Sequence, residues 1–368
     1  MHSSTRRFTK TLHSLLALLA AAVIVVGCGG TTPPDPDEPN LFLLVPDYTL
    51  VSIDVLSAVD DTSELARNSS ASFGIEDDAS TTGAAFGPGD RIYVADHGVG
   101  RILVYDVEEA FEEASPEPVA IITSASFEEP VSIAFDTDGN LWVSDGRRSS
   151  SDDPVPNHIL RFDAVDSVVG DSVLTPDAVI ELHLNTSLAF NHNQIRSLYF
   201  DHLGRLWFVD YHSWTVFRID DPGDFTGTTS DVVPDFQFRA LDAGDANASP
   251  IRNPSAVLLS ASGVLYVGND GQNTVARFDD LSEIGSGLSN NVPSANLSVG
   301  LQRTNILAFD PNGDLWVGSS GDGTNSQLVR ITDPTTGTGA VTKTPAQTVN
   351  WAPGSQFTYG GSLLFQVR

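Results

Sequence analysis

The chain has 368 residues with 48 acidic against 19 basic side chains, a formal charge of −29, and a single cysteine. That charge excludes a nucleic-acid or anionic-surface binder, because phosphates would be repelled. The lone cysteine excludes an intramolecular disulfide and any cysteine-built metal site.

In chain order, the first feature is a leader. Arg6, Arg7 and Lys10 precede an apolar run from Leu12 to Val26, which ends in Val25-Val26-Gly27-Cys28. A positive start, a short apolar stretch and a small residue before a cut are the parts of an export signal. The run is too short for a membrane span of about 20 residues. After Cys28, residues 29–39 are glycine, proline, threonine and acid, which cannot build a core and predict a tether. Residues 1–27, 28–39 and 40–368 are therefore expected to be signal, tether and globular domain. Loss of the leader makes the remainder three charges more negative and leaves Lys343 as its sole lysine.

From residue 40 onward one phrase recurs: an apolar strand, a polar turn, a strand carrying an aromatic, and a polar stop. Phe86, Phe135, Phe200, Leu259 and Phe309 each stand ten residues before Asp96, Asp145, Asp210, Asn269 and Ser319. Tyr93, Trp142, Trp207, Tyr266 and Trp316 stand three before the same stops. A third strand follows, ending at Asp106, Asp163, Asp220, Asp279 and Thr332, and a fourth is marked by Pro118, Pro176, Pro234, Pro293 and Pro345. Four strands per unit at this spacing predict an all-β fold, a propeller of four-stranded blades. Turns such as Asp138-Gly139 and Asn312-Gly313 suit tight hairpins. The repeated aromatic is expected between neighbouring blades. Five units are complete. Leu363-Leu364-Phe365 resembles the opening of a further unit, Ile133-Ala134-Phe135, and residues 40–54 resemble its continuation. The expectation is a six-bladed ring whose last blade takes its inner strand from the C-terminus and the rest from the N-terminus, pairing otherwise open edges.

Two resemblances follow. Val25-Val26-Gly27-Cys28 resembles the lipobox of bacterial lipoproteins. It implies cleavage before Cys28, diacylglycerol on its thiol, often a further palmitate-type chain on its amine, and export to a bacterial membrane, outer membrane or cell surface. The repeats, carried by Glu129-Pro130-Val131-Ser132-Ile133-Ala134-Phe135 and Asn253-Pro254-Ser255-Ala256-Val257, resemble the NHL-repeat and gluconolactonase-like propellers. Lactonases of that group hold a divalent cation at the channel mouth with oxygen ligands from several blades. Calcium or magnesium is thus the cofactor the resemblance implies, and Glu128, Glu129, Asn191, Asn193, Asn253 and Asn305 are oxygen donors before inner strands. Where that family has glutamate-glycine-proline this chain has Glu128-Glu129-Pro130, so no catalytic residue is carried over. Related propeller lyases use histidine and a metal, and His97, His192 and His212 lie in turns of one face.

Scaffold similarity does not fix activity. The expected ligand face joins the turns after the second strands (Asp96, His97, Asp145, Asp210, Tyr211, His212, Trp214, Asn269) to the segments entering the inner strands (Glu129, His192, Asn193, Arg252, Asn253). The leading expectation is a lipid-anchored binding or scaffold protein for a small molecule, glycan or protein. The alternative is a metal-dependent lactonase or lyase.

Overall fold

The computed structural model describes residues 41–47, 52–56, 64–66, 71–74, 81–112, 116–146, 158–182, 194–240, 249–284, 291–319, 326–350 and 363–367. The chain divides into Met1–Pro39 and Asn40–Arg368. The expected signal, tether and Cys28 lie outside the described residues.

The fold is an all-β propeller. Inner, second, third and outer strands of the first blade are Thr81–Gly87, Arg91–Asp96, Arg101–Asp106 and Ala120–Thr123. The second has Pro130–Phe135, Leu141–Asp145, His158–Phe162 and Ala178–Leu182. The third has Ile195–Phe200, Leu206–Asp210, Thr215–Ile219 and Phe236–Phe238. The fourth has Pro254–Leu259, Leu265–Asn269, Thr274–Phe278 and Ala295–Ser298. The fifth has Thr304–Phe309, Leu315–Ser319, Gln327–Ile331 and Gln347–Asn350. A further sheet joins the chain ends, in the order Leu364–Val367, Leu41–Asp47, Ser52–Leu56, Ala71–Gly74.

The core lies between blades. Four of the five repeated aromatics pack on a ring of the next inner strand: Tyr93 on Phe135 with ring centroids 4.8 Å apart, Trp142 on Phe200 at 5.6 Å, Tyr266 on Phe309 at 5.4 Å and Trp316 on Phe365 at 5.7 Å, while Trp207 shares a buried cluster with Leu259. Tilted pairs of this kind add about 0.5–1.5 kcal/mol each beyond their buried area. The indoles also need a partner for their N–H. Asp136, Asp201 and Asp310, first in each hairpin turn, accept it at 2.8, 2.9 and 2.9 Å. Their other carboxylate oxygens accept backbone N–H groups of the same turns, from Asn140, Arg205 and Asp314. One aspartate thus closes the hairpin and satisfies the tryptophan.

Blades of four strands were expected; four of the sheets hold five. Gly170–Val173, Gly227–Val232 and Gly339–Thr342 each leave the blade they belong to and pair in parallel with the outer strand of the preceding blade. Glu64–Ala66 does the same for Gln347–Asn350. These rim strands cover edges that would otherwise recruit other chains. The first three start at glycines of φ +63°, +60° and +70°, a region other residues enter at a cost. Those glycine N–H groups donate to the carbonyls of Val119, Asp177 and Ser294.

A β-bulge recurs near the start of each inner strand of the five blades. It brings Thr82, Val131, Arg196, Ser255 and Asn305 to equivalent positions, all buried. One residue on, the strands approach closely: a Cβ on Gly83 would meet the carbonyl oxygen of Val131 at 2.9 Å. Toward the hairpin end the strands open, and Ala85, Phe86, Ala134, Phe135, Tyr199 and Phe200 are only half-buried.

Candidate functional site

The stop residues face inward. Asp96, Asp145, Asp210, Asn269 and Ser319 are all buried. A buried carboxylate requires donors, and the backbone supplies them. Asp145 accepts the N–H groups of Glu128 and Glu129 at 2.7 and 2.8 Å, and Asn269 accepts that of Arg252 at 2.8 Å. The Ser319 hydroxyl donates to the Gln302 carbonyl. These three tie the end of a second strand to the segment leading into the inner strand of the same blade. Asp96 instead meets Arg101 Nε at 2.8 Å. Asp210 accepts the N–H groups of His212 and Ser213 at 2.8 Å each, while its Oδ2 has no hydrogen bond. Burial pushes the Asp210 carboxyl up to about 6, against the pull of those N–H groups and of Arg239.

Above Asp210 stands the turn Tyr211–Trp214. Tyr211 donates its hydroxyl to Asp270 at 3.1 Å, and the guanidinium of Arg196 lies 3.3 Å from the centre of its ring. Arg196 Nη1 is 3.9 Å from Asp270 Oδ2 and its Nε donates to Gln194 at 3.0 Å. Burial raises the Asp270 carboxyl, with Arg196 and the Tyr211 hydroxyl opposing. His212 packs edge-on to Tyr211 at 5.1 Å, and the Asn253 amide donates to the Tyr211 carbonyl at 3.2 Å. Trp214 is half-buried, with the Arg252 guanidinium 5.7 Å from its ring centre. Its φ is +57°, where the equivalent residues of the first and fourth blades are Gly100 and Asn273. A tryptophan there carries local strain of about 1–3 kcal/mol.

At the junction of the first two blades, His97 Nε2 lies 3.9 Å from Glu129 Oε2, both side chains partly accessible. His192 and Asn193 lie outside the described residues. The structure thus gathers Tyr211, His212 and Asn253 in one place and His97 and Glu129 in another. It adds Arg196 and Asp270, which the sequence reading passed over. The available signal was that arginine in an inner strand breaks the repeat, since its counterparts are Thr82, Val131, Ser255 and Asn305.

Of the oxygen donors expected for a divalent cation, Asn191 and Asn193 lie outside the described residues. Asp210 holds backbone N–H groups, the Asn253 amide nitrogen bonds Tyr211, and Asn305 is fully buried with an amide that has no partner. Among the described residues no three His, Cys, Asp or Glu side chains form a metal-binding group.

The other half of the channel is hollow. A cavity of about 970 Å³ runs from the level of Ala84, Ser132, Ser197 and Ala256 to the hairpin turns at Ser260–Ser262 and Asp310–Gly313. Leu363 and Leu364 complete its wall.

The architecture is shared with proteins of very different sequence. It is similar to the periplasmic gluconolactonase of Pseudomonas aeruginosa, with TM-score 0.55 and 16% identity over 88% of this chain and 99% of that one. A chain of a nidogen/laminin complex matches with TM-score 0.55 and 14% identity, over 88% of this chain and 98% of the other. A protein of unknown function from Bacteroides caccae matches with TM-score 0.50 and 14% identity, over 85% and 98%. At such identities the likeness shows the propeller fold alone. No family model matches the sequence, and no curated protein does.

Proposed function

We propose that this chain is an exported, lipid-anchored propeller of six blades that binds a ligand on the face carrying the Tyr211–Trp214 turn. The observation that carries the binding reading is the backbone of Trp214. A tryptophan held at φ +57°, where sister blades use glycine or asparagine, is strain that folding alone does not require. Two aromatic faces backed by Arg196 and Arg252 on a rigid scaffold make a platform for a sugar ring, a planar group or a peptide side chain. The six-blade reading is supported by the sheet that pairs Leu364–Val367 with Leu41–Asp47, and by Leu363 and Leu364 lying in the channel wall.

Trp214→Asn, which copies the fourth blade, is the discriminating variant. In a thermal-shift screen of saccharides, lactones and short peptides against residues 40–368, its melting temperature should equal or exceed the parent's. Any ligand found for the parent should bind it at least tenfold more weakly. Lower stability with binding intact would make Trp214 a structural residue and remove the reading's main support. The anchor rests on Val25-Val26-Gly27-Cys28. Cys28→Ser should abolish incorporation of labelled palmitate in a bacterial host, and equal labelling would refute it.

A second reading, opening of a lactone or other cyclic substrate, draws on the His97 and Glu129 pair, a candidate base and acid whose side chains approach to 3.9 Å with both partly accessible. Turnover of a lactone panel that disappears in His97→Ala would favour it over binding alone.

A further inference from the structure

We propose that the hairpin half of the channel is a second binding site, on the opposite side of the bulges from the Tyr211–Trp214 platform, and that it takes an uncharged, largely apolar ring compound bearing a carbonyl or ether oxygen.

The cavity of about 970 Å³ lies at the upper end of the range for small-molecule sites, roughly 300–1,000 Å³. Its walls are the ends of the inner strands, with Phe135, Tyr199, Phe200 and Phe309 offering aromatic faces and Ala85, Ala134 and Ala308 leaving room between them. Among the described residues no arginine, lysine or histidine lines it, and the one acid among them, Asp310, is engaged by Trp316 and by backbone N–H groups of its own turn. A carboxylate or phosphate ligand would have no counter-charge there, within a chain of charge −29. The serines at its closed end are occupied: Ser132 and Ser197 accept the N–H groups of Leu198 and Val257.

Tyr266 departs from the repeat. Of the five repeated aromatics, Trp142, Trp207 and Trp316 donate to aspartates, and Tyr93 donates to the Val165 carbonyl at 3.3 Å. Tyr266 is fully buried and its hydroxyl has no hydrogen-bond partner among the described residues. The residue at the position of the tryptophan-bonding aspartates is Ser260, whose hydroxyl bonds Ser262 and accepts the Val264 N–H instead. Both Tyr266 and Ser260 line the cavity. A buried donor left without an acceptor is destabilising, and a ligand oxygen at this wall would restore what the protein itself supplies to the other four repeated aromatics. The phenol stays protonated, since burial pushes it up to about 12, so it recognises an acceptor.

The test uses two neutral fluorescent probes of similar size with residues 40–368. N-phenyl-1-naphthylamine has no oxygen; 6-propionyl-2-dimethylaminonaphthalene carries a ketone. Both are expected to bind saturably at one site. Ala308→Trp, which fills the cavity, should abolish both. If that variant melts far below the parent, Ala134→Phe replaces it as the blocking substitution. Tyr266→Phe should weaken the ketone probe at least fivefold and leave the naphthylamine within twofold. Trp214→Asn should affect neither, which separates this site from the platform. Absence of saturable binding, or binding that survives both blocking variants, overturns the site. Equal loss of both probes in Tyr266→Phe overturns the role of its hydroxyl. A ligand from the thermal-shift screen that depends on Trp214 while neither probe binds would leave the binding reading standing and this inference refuted.

Discussion

The carboxylate of Asp210 is the residue with the clearest pH signature. Its ordinary value is 3.8 and burial lifts it to about 6. Between those values the folded chain holds a proton that the unfolded chain releases. The stability tied to that proton is therefore full below 3.8 and is lost as pH rises through about 6. Two pKa units correspond to roughly 3 kcal/mol as an upper bound. Asp210→Asn keeps an oxygen for the His212 and Ser213 N–H groups and removes the titration. Urea unfolding from pH 4 to 8 should show the parent losing stability relative to this variant; parallel curves would disprove the assignment. Sequence register located Asp210 and its four counterparts, but not their direction. A polar residue at a strand end reads alike whether it meets solvent or a neighbouring backbone. The tryptophan-bonding aspartates were legible in principle: Asp136, Asp201 and Asp310 occur only in blades with tryptophan, and Gly87 and Ser260 stand where the aromatic is Tyr93 or Tyr266.

Among elements, inner, second, third and outer strands could all be read, because alternating apolar runs and glycine turns mark them. The rim strands could not. Gly170–Val173 and Gly339–Thr342 are short and exposed, with no apolar face to produce a period. What holds them is arginine from the preceding blade. Arg91 donates to the Val168 carbonyl at 2.7 Å and Arg161 to that of Gly223 at 2.9 Å. Arg277, almost fully buried, donates to the carbonyls of Pro334, Thr336 and Gly337 and pairs with Asp279. One planar guanidinium spans several acceptors where an ammonium cannot. Arg277→Met should cost about 1–3 kcal/mol, chiefly by leaving the buried Pro334 carbonyl unpaired, and Arg277→Lys should recover less than half of it. Urea midpoints of the three proteins test this, and full recovery by lysine would mean that charge alone matters.

Over the whole molecule, the number of complete repeats and their aromatic contacts followed from register, and the pairing of the two chain ends is present as expected. The ring has no blade that is independent of its neighbours, since each aromatic and each rim strand reaches across a junction. Deleting residues 362–368 removes the strand Leu364–Val367, the ring that Trp316 packs on, and one wall of the cavity. The expected result is a single unfolding transition at a markedly lower temperature, measured by calorimetry. An unchanged midpoint would mean that the terminal sheet adds nothing to the ring. The binding platform was only partly legible: Tyr211, His212 and Asn253 stood out as polar turns, while Arg196 and Asp270 reach it through a bulge and a neighbouring blade, which one-dimensional spacing does not encode.

That same pairing sets a clock on biogenesis. Leu41 is matched with Val367, so the strand made first waits for a partner more than 300 residues further along the chain. At about 5–20 residues per second, some 300 intervening residues take roughly 15–60 s to appear. Throughout that interval five blades can assemble by local hairpins, but the last seam stays open. Closure depends on the slowest kind of contact, one between distant parts of the chain.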